Sequence, residues 1–205
     1  MKFTISREAF LKPLVLVAGV VERRQTLPVL ANILVVVEGY QLTLTGTDLE
    51  VELVGRVSLD QAGEDGGVTI PARKLMDICK SLPDHAMIEV MQNEEHVLVR
   101  SARSKFKLST LPATDFPNVE DSPESFEFEV PQMALKQLVD QTGFAMAQQD
   151  VRYYLNGMLF EIKDSQLRTV ATDGHRLATS FMPVGLPDQA AQQLIVPRKG
   201  VLELA

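Results

Sequence analysis

The stretch RYYLNGMLFE at residues 152–161, followed by TVATDGHRL at 169–177, decides how this chain is organised. Two short apolar runs flank a polar turn at 163–165, and a tight Asp-Gly turn then carries a histidine and an arginine. This pattern predicts a β-hairpin followed by a second turn. Tyrosines, a histidine and an arginine in one window suggest a catalytic or binding site, but on this window alone an ordinary hairpin with solvated polar residues is the first interpretation. The same pattern also occurs earlier in the chain, and this repeat helps to decide between a functional site and an ordinary hairpin.

The chain contains a tandem repeat. Four blocks match in the same order at offsets of 124 to 126: 3–5 with 128–130, 11–15 with 135–139, 30–48 with 155–173, and 70–71 with 196–197. Each match is weak alone, but the constant order and nearly constant offset indicate two copies of one domain. The second copy stops at Ala205, inside its second helix, whereas strands follow that helix in the first copy. We therefore expect a fragment whose second copy lacks its closing strands, because those strands would cover an exposed core surface.

Each copy is predicted to be α+β. Apolar residues at helical spacing after an N-capping Ser6 predict a first helix, in which Pro13 predicts a kink or an early end. Pro71 is well placed to begin a second helix. Alternating or apolar runs predict strands at 2–5, 30–37, 41–47, 50–57, 87–91, 96–101 and 105–110.

The segment 111–123 is rich in proline and acidic residues, which is typical of a connection between domains. We place the first domain at 1–120, the linker proper at 121–127 and the second, incomplete domain at 128–205.

Composition limits the class of protein. A hydrophobic content of 45% and a charged content of 23% are typical of soluble globular proteins. No apolar run approaches the roughly 20 residues of a membrane span and the N-terminus lacks a signal-peptide h-region, so we expect a cytoplasmic location. The single cysteine, Cys79, is expected to be a buried structural thiol. A net charge of −7 argues against indiscriminate coating of nucleic acid but leaves room for a local basic surface.

Motifs for catalysis are scarce. The sequence contains no Walker-type loop, no Gly-rich fingerprint and no HExxH or CxxC spacing. Asp48 and Asp173 occupy equivalent turn positions, where an aspartate most often forms an Asx turn. A metal-dependent phosphoester-processing enzyme that uses Asp48, Asp173 and His175 is an alternative, although no nucleophile or metal partner lies near His175 in the sequence.

Many basic residues lie along the predicted helices or just after them. Helices that are apolar on one side and basic on the other fit a scaffold that presents helix faces to a polyanion, although lysine and arginine also simply solvate helix surfaces. The residues concerned are Arg7, Lys12, Arg23, Arg24, Arg73, Lys74, Lys80, Lys136, Arg198 and Lys199. Arg103, Lys105 and Lys107 alternate along a predicted strand with Phe106 and Leu108 on its other face. That pattern is typical of a protected sheet edge or of an edge that pairs with another subunit.

Several motifs resemble the bacterial DNA polymerase III beta subunit family, the sliding clamps. They are TLPVL (26–30), LTGTDLE (44–50), QDVRYYLNGMLFE (149–161), ATDGHRLA (171–178) and IVPRKG (195–200). The resemblance runs along essentially all 205 residues. It implies three domains of one fold in a full-length chain, and a ring of two subunits around duplex DNA, with two helices per domain on the inner face and antiparallel sheets outside. It also implies that this chain holds the first domain and most of the second, without the third.

The resemblance implies roles for single residues. Positions that face DNA correspond to Arg24, Arg73, Gln149, Tyr153, Tyr154, Arg198 and Lys199. One half of a pocket that captures short linear motifs of polymerases, the clamp loader and repair proteins corresponds to Leu155, Thr172, Gly174, His175, Arg176 and Leu177. The first-domain side of the subunit interface corresponds to Lys74, Arg103, Lys105, Phe106 and Leu108.

The sequence thus predicts a non-catalytic processivity factor, without metal or cofactor, whose contacts with duplex DNA are to phosphate and independent of base sequence. A short clamp-like protein that binds one partner is a further alternative.

Overall fold

The chain forms two compact units, unit 1 (Met1–Glu120) and unit 2 (Asp121–Ala205). The computed structural model describes residues 1–21, 27–117, 128–185 and 192–205. Both units are α+β, with antiparallel sheets and two α-helices each in these ranges. No helix within them is long and apolar enough to cross a membrane. The linker expected at 121–127 lies outside the described residues.

The described part of unit 1 consists of two antiparallel sheets and two α-helices. The strands are β1 (Lys2–Ser6), β2 (Asn32–Glu38), β3 (Gln41–Thr47), β4 (Glu52–Ser58), β5 (Gly66–Pro71), β6 (Met87–Asn93), β7 (His96–Ser101), β8 (Ser104–Ser109) and β9 (Leu111–Pro112). The helices are α1 (Arg7–Val20) and α2 (Ala72–Ser81). One sheet has the strand order β1-β6-β7-β8 and the other β4-β3-β2-β5-β9.

Helix α1 begins at Arg7 because Ser6 caps it. The Ser6 hydroxyl oxygen accepts a hydrogen bond from the Ala9 amide at 3.3 Å, which satisfies one of the free N–H groups of the first turn. Its apolar face joins a core that draws residues from both sheets and both helices, and Phe10 and Leu14 are fully buried there. Burying each such side chain contributes about 1.5–3 kcal/mol.

Of the two expectations for Pro13, a kink or an early end, the early end is wrong, since the helix continues to Val20. Tertiary packing accounts for this. A Cβ at Gly55 of β4 would lie only 2.9 Å from the Pro13 Cβ, so the missing side chain lets the ring approach the sheet closely. Most helical stability in proteins comes from packing of this kind, which here offsets the hydrogen bond that proline cannot donate.

The segment 111–117 belongs to unit 1, although the sequence predicted the start of a connection there. Its strand β9 pairs with β5, and the Thr69 hydroxyl donates a hydrogen bond to the Leu111 carbonyl at 3.0 Å. Phe116 is only 7% exposed and packs with Val29 and Leu30 in a small separate cluster. Local composition does not reveal such docking, because it depends on residues far away in the sequence.

The described part of unit 2 repeats half of this architecture. It contains α3 (Gln132–Thr142), β10 (Gly157–Lys163), β11 (Gln166–Thr172), β12 (Leu177–Pro183), β13 (Gln192–Pro197) and α4 (Arg198–Leu204). The sheet order β12-β11-β10-β13 corresponds to β4-β3-β2-β5 in unit 1, strand by strand. This correspondence confirms the tandem repeat. The predicted turn between β10 and β11 is also confirmed, with left-handed Asp164 and Ser165 as a two-residue hairpin requires.

The central strand of unit 1 begins at Asn32, later than the predicted start at residue 30. A short 3-10 helix precedes β2 at Pro28–Ala31 and another precedes β10 at Tyr153–Leu155. The apolar run that begins at Leu30 predicts a strand, because a short apolar run does not distinguish a buried strand from a buried helical turn.

One face of the unit 2 sheet borders an apolar cavity of about 460 Å³. Phe160 and Leu194 line it. The equivalent residues of unit 1, Val35 and Val68, are buried in a core to which β6, β7 and β8 also contribute. Within the described part of unit 2 no second sheet covers this face, so Leu194 is 57% exposed whereas Val68 is 2% exposed.

Candidate functional site

The turn between β11 and β12 is held by the side chains of Thr172 and Asp173. Asp173 Oδ1 accepts hydrogen bonds from the amides of His175 and Arg176, both at 3.0 Å. The Thr172 hydroxyl accepts from the Gly174 amide at 3.1 Å and donates to the Arg176 carbonyl at 2.7 Å. The amide of His175, followed by that of Arg176, lowers the pKa of the Asp173 carboxyl. This confirms the Asx turn predicted for Asp173.

Unit 1 contains the same turn between β3 and β4. Asp48 Oδ1 accepts from the amides of Glu50 and Val51 at 3.0 and 2.9 Å. The Thr47 hydroxyl accepts from the Leu49 amide at 3.0 Å and donates to the Val51 carbonyl at 2.9 Å. The turn is therefore part of the repeated fold. Only the displayed side chains differ between the copies.

The enzyme alternative would use Asp48, Asp173 and His175 as reacting groups. In both aspartates, one carboxylate oxygen instead accepts two amide hydrogen bonds within the same turn. Across the residues that the structure describes, no group of three or more His, Cys, Asp or Glu is arranged to hold a metal ion. Turn formation accounts for the two aspartates without catalysis.

The Arg176 side chain lies between a carboxylate and an aromatic ring. Its Nε donates to Asp173 Oδ2 at 2.9 Å, and its guanidinium carbon lies 5.5 Å from the centroid of the Phe144 ring. Such a cation–π contact is worth about 0.5–1 kcal/mol at an exposed site. Phe144, in the 3-10 turn that follows α3, is exposed and was not predicted to be a site residue. No sequence signal marks it, since an isolated Phe after a helix usually enters the core.

The loop 149–156 is closed by Asn156. Its side-chain oxygen accepts from the Asp150 amide at 2.9 Å, and its Nδ2 donates to the Asp150 carbonyl at 2.8 Å. The Asp150 carboxylate accepts three hydrogen bonds from Arg152: from the amide at 2.8 Å, from Nε at 3.0 Å and from Nη2 at 2.8 Å. The Arg152 side chain is the main cause that lowers the pKa of Asp150 to about 2. Gln149 adopts a left-handed backbone, with φ of 58°.

The 3-10 helix in this loop displays two tyrosines and buries a leucine. Tyr153 and Tyr154 are exposed, with their rings edge to face at a centroid distance of 5.9 Å. Leu155 is 8% exposed, and its carbonyl accepts from the Ala147 amide at 3.0 Å. Leu155 therefore anchors the loop, whereas Leu177 at the start of β12 is exposed.

The loop and the turn meet at Arg152 and Gly174. A Cβ at Gly174 would lie 3.3 Å from Arg152 Nη2 and 3.4 Å from Nη1. The structure thus joins two sets of residues that the sequence assigned to different roles, the loop with Tyr153 and the turn with His175.

The basic residues assigned to DNA differ in their exposure. Arg73 is exposed on α2, and Arg198 and Lys199 are half-buried in the first turn of α4. Arg24 lies outside the described residues.

Arg7 does not belong with the basic residues that were expected to face a polyanion. Its Nε donates to the Cys79 carbonyl at 2.9 Å, and Nη1 donates to Asp84 at 2.8 Å. The side chain is largely buried and ties the start of α1 to the end of α2. Cys79 itself is buried, as predicted, and burial raises the pKa of its thiol to about 12.

Strand β8 is the edge of its sheet in the described part of unit 1. Lys105 and Lys107 are exposed, whereas Leu108 is buried and Phe106 half-buried, which confirms the predicted alternation. Arg103 lies in the turn between β7 and β8 and not on the strand.

Known proteins resemble this chain along its whole length. The family model "DNA polymerase III beta subunit, N-terminal domain" matches residues 1–120, and the model of the central domain matches residues 129–205. A beta sliding clamp of Pseudomonas aeruginosa is 65% identical over 205 residues, and one of Escherichia coli (strain K12) is 57% identical over 206. Each alignment covers 100% of this chain and 56% of the relative, so the chain spans about half the length of these curated relatives.

Solved structures agree with the fold. The DNA polymerase III subunit beta of Pseudomonas aeruginosa superposes with a TM-score of 0.95 at 64% identity, over 100% of this chain and 56% of that one. A clamp of the same organism bound to griselimycin gives 0.94 at 65%, over 100% and 55%. The clamp of Caulobacter crescentus gives 0.87 at 39%, over 99% and 56%. The chain therefore belongs to the DNA polymerase III beta subunit family.

Proposed function

We propose that this chain is part of a sliding clamp subunit, a non-catalytic processivity factor that encircles duplex DNA and tethers the replicative polymerase to it. The observation that carries the proposal is the match of both units, in order, to the N-terminal and central domains of the DNA polymerase III beta subunit. The curated relatives are longer than this chain, which covers 56% of each, and this supports a third domain in the working protein. We place that protein in the cytoplasm, without metal or cofactor.

DNA contact is proposed for the helices and for the loop 149–156. The residues assigned to it are Arg24, Arg73, Gln149, Tyr153, Tyr154, Arg198 and Lys199. The exposure of Arg73 and Tyr153 supports this assignment. Contacts of cationic side chains with phosphate fix position without reading bases. A ring holds DNA by topology, so weak contacts suffice, in keeping with a net charge of −7.

Peptide capture is proposed for the turn that follows β11. The residues assigned to this half-pocket are Leu155, Thr172, Gly174, His175, Arg176 and Leu177. An exposed apolar Leu177 beside polar and cationic groups suits a short linear motif of a polymerase, clamp loader or repair protein. A sliding clamp that is 65% identical to this chain has been solved bound to griselimycin, which supports a ligand site in clamps with this sequence pattern.

Subunit contact is proposed for the edge strand β8 and its surroundings, with Lys74, Arg103, Lys105, Phe106 and Leu108. Alternating lysines keep an edge strand from pairing with unrelated strands. The strand still presents backbone N–H and C=O groups, which a strand of complementary sequence can pair with. We assign this edge to the third domain of a second subunit in a homodimeric ring.

The DNA proposal is tested in a full-length chain that contains residues 1–205. Arg24→Ala combined with Arg198→Ala is expected to reduce loading on nicked circular DNA at moderate salt, and to lower the salt dependence by about one unit of slope per lost phosphate contact. Arg56→Ala, which removes an exposed cation from β4, is the matched control. Unchanged loading in the double variant would contradict the assignment of DNA-facing residues.

The peptide proposal has a separate test. Griselimycin is titrated into the same full-length chain, and Leu177→Ala is expected to weaken binding by about tenfold, because truncating a buried anchor at an interface costs 1 kcal/mol or more. Equal affinity of the variant and the parent would remove Leu177 from the pocket.

A further inference from the structure

The turn at Gly174 and the turn at Leu49 have the same backbone. Each is held by the same four hydrogen bonds, and φ is 88° at Gly174 and 78° at Leu49. Left-handed residues are usually glycine because a Cβ is strained there. Leu49 nevertheless adopts this conformation, so the turn alone does not require glycine at position 174.

What differs is the space beside the two residues. The Leu49 side chain is exposed to solvent. At Gly174 the same direction is filled by the guanidinium of Arg152, which a Cβ would approach to 3.3 Å. Position 174 therefore has no side chain at the place where the Arg152 guanidinium lies.

Hydrogen bonds within the loop 149–156 hold the Arg152 side chain next to Gly174. Asp150 accepts two hydrogen bonds from the guanidinium and one from the Arg152 amide, and Asn156 holds the Asp150 backbone at both its N–H and its carbonyl. A forked arginine–carboxylate pair restricts orientation as well as distance. The pair is half-exposed and thus weak as a source of stability, but its geometry is set by several bonds at once.

We infer that Arg152 is a positioning residue for the proposed peptide site: its guanidinium, oriented by Asp150, lies against Gly174 and fixes the turn that carries His175, Arg176 and Leu177. This inference rests on the proposed function of that turn. Gly174 leaves the space that the guanidinium needs, and the loop 149–156 supports the turn through this contact.

The test is a double-mutant cycle in the full-length chain, with griselimycin affinity as the readout. Gly174→Ala is expected to weaken binding by about tenfold, because the new methyl group would lie 3.3 Å from Arg152 Nη2 and would push the guanidinium away from its present position. Arg152→Ala is expected to weaken binding to a similar extent, and the double variant no further than Arg152→Ala alone. Asp150→Asn should reproduce part of the loss. Arg152→Lys should not restore affinity, since lysine keeps the charge but lacks the fork.

Leu49→Gly is the matched control, because it changes the equivalent turn in the copy where Leu27 stands at the position that corresponds to Arg152, and its affinity should equal that of the parent. Losses from Gly174→Ala and Arg152→Ala that add in the double variant would overturn the inference, as would unchanged binding in either single variant. Full rescue by Arg152→Lys would also overturn it, in favour of a charge effect.

A parent chain that does not bind griselimycin contradicts the proposed peptide site. The inference is then decided by the amide chemical shifts of residues 172–177 in Arg152→Ala. Changed shifts at residues 172–177, in addition to those expected in the loop 149–156 around the substitution, support the contact, and unchanged shifts at residues 172–177 overturn it.

Discussion

Phe116→Ala tests whether the segment 111–117 is a structural part of unit 1. Phe116 is 7% exposed and completes the cluster with Val29, Leu30, Leu34 and Leu111. Truncating a buried Phe to Ala costs about 3–5 kcal/mol. We expect about 3 kcal/mol here, since the cluster is small and one side of it adjoins the surface.

The assay is thermal and urea unfolding of the 205-residue chain, followed by a probe in unit 1. A loss of about 3 kcal/mol corresponds to a fall in Tm of roughly 10 °C for a unit of this size. The matched control is Tyr40→Ala, which removes an exposed aromatic ring from the same unit and should change stability by less than about 0.5 kcal/mol. If Phe116→Ala destabilises the chain no more than Tyr40→Ala does, the segment is only a connection and our assignment of it to the fold is wrong.

Three further predictions concern a cap, the open face of unit 2 and a carboxylate. Ser6→Ala removes the α1 cap and should cost about 1 kcal/mol in urea unfolding, whereas Ser6→Asp should retain stability; equal stability of parent and Ser6→Ala would show that the cap is not used. The 460 Å³ apolar cavity should bind a hydrophobic dye, and Leu194→Glu should reduce its fluorescence; undiminished fluorescence would place the dye elsewhere. Asp150 has a native pKa of about 2 against 3.8 in the unfolded chain, so its contribution to stability is complete above pH 3.8 and disappears as the pH falls through about 2. Carboxyl ¹³C shifts measure this directly, and a midpoint near 3.8 would show that Arg152 does not hold the carboxylate.

Regular patterns in the sequence predicted the repeated part of the fold well. The hairpin from β10 to β11 and its equivalent in unit 1 follow from alternating residues around polar turns, which are local signals. Asp48 and Asp173 were correctly assigned to turns, because an aspartate side chain reaches amides two and three residues ahead along its own chain.

Contacts between distant residues were not predictable in the same way. Arg7 looked like a free cation on a helix, but its partner Cys79 lies 72 residues further along the chain. The docking of Phe116 and the packing of Pro13 on Gly55 likewise depend on the assembled sheet. The contact of Phe144 with Arg176 was not predicted either, because only the folded chain places the guanidinium over this ring.

The turn that occurs in both units has a consequence for how such a protein changes over generations. Its framework, a threonine and an aspartate followed by three residues, keeps its shape whether those residues are Leu-Glu-Val or Gly-His-Arg. The side chains of these three residues can therefore differ between the copies while the hydrogen bonds of the turn stay the same. A duplicated domain with such a turn acquires a new surface by substitution alone, without an insertion.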